Sequence, residues 1–154
     1  MVRTHIMALT YRPKVQAVLD GAIRQTIRLI PREKNGAIGV GKHQVGDRIL
    51  LHTWSGKPYR SKWGNRLLVK VVHQSIIFYW DGLWHENAPS CEPISSKVMD
   101  EIARLDGIQP PTERGLEAVL KMVNGLKDLH DTDWEIITFE RVEIEINRRA
   151  SSSP

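Results

Sequence analysis

The stretch GAIRQTIR, residues 21–28, decides how the rest of the chain is read. Gly21 closes the segment before it, and RQTIRLI, residues 24–30, alternates and is rich in β-forming side chains, which predicts a strand. Arg24, Thr26 and Arg28 have the same parity, so a regular strand places them on one face. The run is short and polar, which argues against a strand buried on both faces. A guanidinium presents paired donors, so two arginines flanking a hydroxyl suit a phosphate or the polar edge of a base. The same residues also fit a solvated strand face.

The flanking segments follow from spacing. PKVQAVLDG, residues 13–21, predicts a short helix with Pro13 in its first turn and Val15, Val18 and Leu19 as its stripe. Residues 31–44 read as a glycine-containing loop, and VGD at 45–47 as a turn with Asp47 as a turn residue. RILLHTW, 48–54, predicts a strand; 66–80 predicts one long strand or two, ended by the hairpin signal Asp81-Gly82. PISSKVMDEIARLDG, 93–107, carries Ile94, Val98, Ile102 and Leu105 at helical spacing. Residues 112–125 predict a second helix with Thr112 as N-cap, Gly125 as C-cap and Leu116, Val119, Leu120 and Val123 as its stripe. WEIITFERVEIEIN, 134–147, predicts a closing strand whose end alternates Val142, Ile144 and Ile146 with Glu143 and Glu145.

Charge is divided unevenly along the 154 residues. Residues 1–80 hold 14 Lys and Arg against 3 Asp and Glu, or +11; residues 81–154 hold 8 against 15, or −7; the net charge is +4. Either one face is turned to an anionic partner, or an acidic helical layer packs on a basic sheet. A single cysteine, Cys91, excludes an internal disulfide framework and suits a reducing cytoplasm. No apolar run approaches the roughly 20 residues of a membrane helix, so no membrane partner is expected. The six histidines show no metal-ligand spacing, and no cofactor motif is present. GAIGVG at 36–41 is not followed by a helix and is not a phosphate loop. Cys91 has no neighbouring base and is not a candidate nucleophile.

These elements, in this order, resemble an ASCH domain, a branch of the PUA-like fold, over most of residues 7–140. The family's run of glycine, lysine, two threonines and arginine aligns with Gly21 to Arg28; VGD at 45–47, ARLDG at 103–107 and WEIITF at 134–139 are the other shared pieces. The resemblance implies an α+β fold: a small, mostly antiparallel β-barrel with helices packed on one side. The expected layout is a single domain over 7–146, an N-terminal extension or cloning remnant over 1–6 and a disordered tail over 147–154.

The resemblance also implies a cleft beside the motif that binds RNA or a modified nucleobase. Related amidohydrolases act on acetylated cytidine with the motif lysine, the second threonine and a carboxylate near a helix end. Thr26 matches that threonine, Arg28 the arginine and Asp106 the carboxylate, so Thr26 and Asp106 are the catalytic candidates if the chain is an enzyme. The lysine position is Ile23 and the first threonine is Arg24. Isoleucine can neither carry charge nor move a proton, so little hydrolysis is expected, and binding of RNA, single-stranded nucleic acid or a nucleotide-like ligand is the leading expectation. With no lysine partner, Asp106 reads first as the residue before a helix-ending glycine.

The candidate binding residues are Arg24, Gln25, Thr26 and Arg28, with the loop residues Lys57, Tyr59, Arg60, Lys62, Trp63 and Arg66. Cations hold phosphates and aromatic faces stack on bases. Trp54 reads as core and Trp63 as the stacking ring; His52 and His73 read as strand-face or packing residues. An acidic protein-contact surface on the second half is the remaining alternative.

Overall fold

The computed structural model describes residues 2–31, 39, 41–87 and 91–142. Six strands, β1 (Thr4–Ala8), β2 (Gln25–Ile30), β3 (Arg48–Trp54), β4 (Trp63–Trp80), β5 (Leu83–Glu86) and β6 (Thr132–Arg141), form one sheet. Its order is β1-β3-β4-β6-β2, with β5 paired to β4. Only β1–β3 is parallel among these pairs. Three helices complete the α+β architecture: α1 (Val15–Leu19), entered through a 3-10 turn at Arg12–Lys14, α2 (Ser96–Leu105) and α3 (Glu113–Asn124).

The 18-residue β4 curls the sheet into a half-barrel. It serves β3 at one end, β5 and β6 at the other, and shifts register between Val71 and His73. Such an extra residue bends a strand and strengthens its twist. Asp81 and Gly82 both take positive φ, 53° and 75°, the conformation a two-residue hairpin needs. Among the described residues β1 and β2 are the two ends of the main strand order.

Two cores lie on opposite faces of β6, because neighbouring strand residues point opposite ways. Trp134 and Ile136 pack with Met99, Ala103, Leu116 and Leu120 of α2 and α3. Ile137 and Phe139 pack with Val18 and with Met7, Ile49, Leu51, Val69 and Val71. Thus α2 and α3 share one side, as expected, while α1 belongs to the other core.

Several boundaries differ from the sequence reading. Thr4–Ala8 is a strand, so residues 4–6 are part of the sheet; as an added parallel edge they carry too little periodicity to be read alone. On α2 the buried residues are Met99 and Ala103, whereas Val98 and Leu105 are 50% and 44% exposed, so the true core face is rotated by one residue. Thr112 caps α3 by accepting from Gly115 N–H, and Gly125 is left-handed at its end. The alternation beyond Val142 and the tail fall outside the described residues, as does most of the 36–41 glycine run.

Candidate functional site

Strand β2 is buried more fully than its polarity suggests: Gln25, Thr26 and Ile27 are buried in succession. This corrects the expectation of a strand with a solvated face. The polar groups are satisfied by a side chain the sequence reading passed over. Lys14, at the end of the 3-10 turn, reaches the edge of β2 and is itself buried. Its Nζ donates to the carbonyl of Gln25 at 3.3 Å, to Thr26 Oγ1 at 3.5 Å and to Asp106 Oδ2 at 3.2 Å.

Asp106 is the C-cap residue of α2 and is buried. Gln25 Nε2 donates to its Oδ1 at 3.4 Å and to the Ile102 carbonyl at 3.1 Å, tying the carboxylate to the strand. Asp106 therefore does have a lysine partner. The amine absent at position 23 comes from position 14, while Ile23 packs with the α1 core. Gly107, at φ 74°, makes the close approach possible: a Cβ there would lie 3.2 Å from Lys14 Cβ and 3.3 Å from Ile23.

Burial dominates the protonation of this pair. It pulls the Lys14 amine below the ordinary lysine range, with the attraction of Asp106 offsetting only part of the shift. It pushes Asp106 above the ordinary carboxylate range, against Lys14, the Gln25 hydrogen bond and Arg28. Burial thus works against the charged forms, while the 3.2 Å contact works for them. A lysine whose pKa is lowered is a better acceptor for the proton of a neighbouring hydroxyl than a lysine in water.

Arg28 stands next to this cluster. One of its terminal nitrogens donates to the Ala8 carbonyl at the end of β1, so the side chain spans the gap between the two sheet margins. It lines both a narrow cavity of about 40 Å³ with Lys14, Thr26 and Asp106 and a cleft of about 650 Å³ between β1 and β2 that those three residues do not line, so Arg28 joins the two. The cleft volume lies in the range of small-ligand sites. Tyr59, 87% exposed, lines the same cleft, so one residue of the basic loop meets the motif strand.

The other predicted residues lie elsewhere. Arg24 precedes β2, is exposed, donates to the Gly21 carbonyl and lines a separate depression with Asp20 and Arg141; strand parity fails because the strand has not yet begun. Lys57, Arg60, Lys62 and Arg66 are exposed. Trp63 opens β4 with its ring stacked on His52 at 4.1 Å and the Arg66 guanidinium 4.9 Å from its centre. It is thus a packing ring, not the free stacking face expected. His52 is buried, in line with a packing role, and Trp54 is half-buried against Tyr59.

Asp47 is more than a turn residue. It accepts from the N–H groups of Arg3 and Gln44 and pairs with His5 Nε2 at 2.9 Å. Among the described residues no group of three or more His, Cys, Asp or Glu is placed to hold a metal ion, and no helix is long and apolar enough to cross a membrane. No protein-family model, curated protein or solved structure matches the chain.

Weak signals accompany the missed Lys14 and the burial of Asp106, which the sequence reading names. Lys14 lies four residues before Val18, on the buried side of the short helix. Asp106 continues the Met99–Ala103 face by three residues. Both are polar residues on apolar stripes.

Proposed function

We propose that the chain is an ASCH-type, PUA-like domain whose cleft binds a nucleoside- or nucleotide-like ligand and hydrolyses an amide on it. The observation that carries this reading is Lys14 Nζ, 3.2 Å from Asp106 and 3.5 Å from Thr26 Oγ1 in a buried setting. It supplies the group whose absence from position 23 had argued for binding alone.

In this reading Thr26 is the nucleophile. Neutral Lys14 takes its proton, Oγ1 attacks the amide carbonyl, and the C–N bond breaks as the leaving amine takes that proton from Lys14. Water then hydrolyses the threonyl ester, with Lys14 again accepting and returning a proton. Asp106, held by Gln25, orients Lys14 and buffers its charge. Arg28 is placed to stabilise negative charge developing on the carbonyl oxygen. Cytidine acetylated on its exocyclic amine is the substrate to try first. Wild-type protein should release cytidine and acetate, followed by chromatography; no product at high enzyme concentration overturns the hydrolytic reading.

A second reading is binding of single-stranded RNA without chemistry. It is favoured by the exposed Lys57, Arg60 and Lys62 beside Tyr59. Affinity for a short RNA should then fall with salt, with a log–log slope near −0.7 for each phosphate contacted. Absence of binding at low salt removes this reading.

A further inference from the structure

The cleft between β1 and β2 is lined by Arg28, which the amide chemistry already uses, and by His43, which it leaves unused. Arg28 is half-buried, and its Nε is a buried donor without a hydrogen-bond partner among the described residues. Burial lowers its pKa to about 10, so it remains a cation at neutral pH. Glu135 stands directly opposite it in the β2–β6 register but does not pair with it. The Glu135 oxygens are taken by the N–H groups of Lys42 and His43, by His43 Nδ1 at 2.7 Å and by Gln74 Nε2 at 2.8 Å. The attraction of Asp106 offsets only part of the cost of burying this cation, and an arriving anion would lift more of it.

His43 faces the same cleft. With Nδ1 committed to Glu135, its Nε2 has no hydrogen-bond partner among the described residues. A carboxylate on one ring nitrogen sets the tautomer and leaves the other nitrogen as the ring's free position. The groups facing the ring are Glu135 of β6, His5 of β1, whose ring lies edge-on at 4.5 Å, Gln74 of β4 through the shared carboxylate, and Arg28 across the cleft. His5 is itself tied to Asp47. Both carboxylates thus spend their charge on donors behind the wall, while Arg28 and His43 both line the cleft.

We propose that the cleft holds a phosphate group between Arg28 and His43, so that its ligand is a nucleotide and not a bare nucleoside. This rests on the reading of the cleft as a nucleoside site. Arg28 donates to the phosphate through the part of its guanidinium that lines the cleft. His43 takes a proton at Nε2 and donates it to a second phosphate oxygen.

The test uses the full chain with cytidine monophosphate, cytidine and inorganic phosphate as probes, with the His43 imidazole followed by NMR across its pH titration. Cytidine monophosphate should bind roughly tenfold or more tightly than cytidine. It should raise the His43 pKa by roughly half a unit or more, while cytidine leaves it in place. His43→Gln should reduce the affinity for the monophosphate toward that for cytidine. Equal affinities with an unmoved His43 overturn the proposal; if acetylcytidine is still hydrolysed, the amidohydrolase reading survives without it. A shift of His43 by inorganic phosphate, with no added affinity from the nucleoside, supports the phosphate site and overturns the nucleoside reading. The wild-type titration stands even if His43→Gln does not fold.

Discussion

Lys62 and Lys14 belong to the same basic half of the chain and have opposite fates. Lys62 sits in the 55–66 loop, exposed, among the cations and rings that composition marks as a nucleic-acid surface. Lys14 is buried against Thr26 and Asp106, in a helical turn where nothing in composition marks it. A lysine in water stays charged and acts as a point of attraction. A lysine removed from water has its pKa lowered and depends on its neighbours for its charge and its hydrogen bonds. Residue type is therefore a poorer guide to chemistry here than burial.

The largest expected difference between the two is in stability. Asp106→Ala leaves buried Lys14 with only the Gln25 carbonyl and the Thr26 hydroxyl as acceptors and Gln25 with one acceptor fewer, and should cost about 1–3 kcal/mol in a denaturant melt. Lys62→Ala should stay within about 0.5 kcal/mol of wild type, as surface changes do. Equal small losses would show that Lys14 and Asp106 do not form the buried pair described.

A comparable loss is expected on the cleft wall. Gly41 has φ 78°, and a Cβ there would lie 2.6 Å from Glu135 Oε2 and 2.4 Å from Gln74 Nε2. Gly41→Ala should cost about 1–3 kcal/mol in thermal or denaturant melts through the left-handed backbone alone. Its added methyl should also disturb the Glu135–His43 contact. A neutral substitution would mean that the 41–43 backbone does not approach Glu135 as described.

Acid separates the two buried carboxylate sites. Burial alone would raise Glu135 and Asp47, but His43, Gln74 and backbone N–H for the first, and His5 and backbone N–H for the second, outweigh it and hold both below their ordinary values. The folded state thus binds these protons more weakly than the unfolded chain. The stability they add is complete above the ordinary carboxylate range, about pH 4, and is lost as pH falls through the lowered folded values. The advantage of wild type over Glu135→Gln should shrink over that acid range in pH-dependent melts. An advantage that grows toward acid would reverse the sign of the account. Asp106 has its pKa raised and does not contribute to this loss.

The parts of the fold set by local rules were readable from the sequence. Arg48–Trp54 forms the expected strand, and Thr112 and Gly125 bound α3 as caps do. Asp81-Gly82 makes the hairpin because both residues accept positive φ. What could not be read depended on partners distant in the chain. Residues 4–6 become a strand only because β3 offers them an edge. Gln25 is buried only because Ile102 and Asp106, about 80 residues away, accept its donors. Part of the charge division turned out to be internal: Asp106 and Glu135 of the acidic half lie against Lys14 and His43 of the first. In the site, Thr26, Arg28 and Asp106 were named from the sequence, while Lys14 and His43 had no pattern strong enough to single them out.

The central claim is that Thr26, with Lys14, performs the chemistry of the cleft, and it is tested most directly by acetylcytidine turnover in Thr26→Val and Thr26→Ser. Valine keeps the shape of threonine without its hydroxyl; serine keeps the hydroxyl. The account predicts that Thr26→Val loses kcat by roughly a hundredfold or more with KM little changed, while Thr26→Ser retains measurable turnover. Turnover by Thr26→Val at the wild-type rate would contradict it.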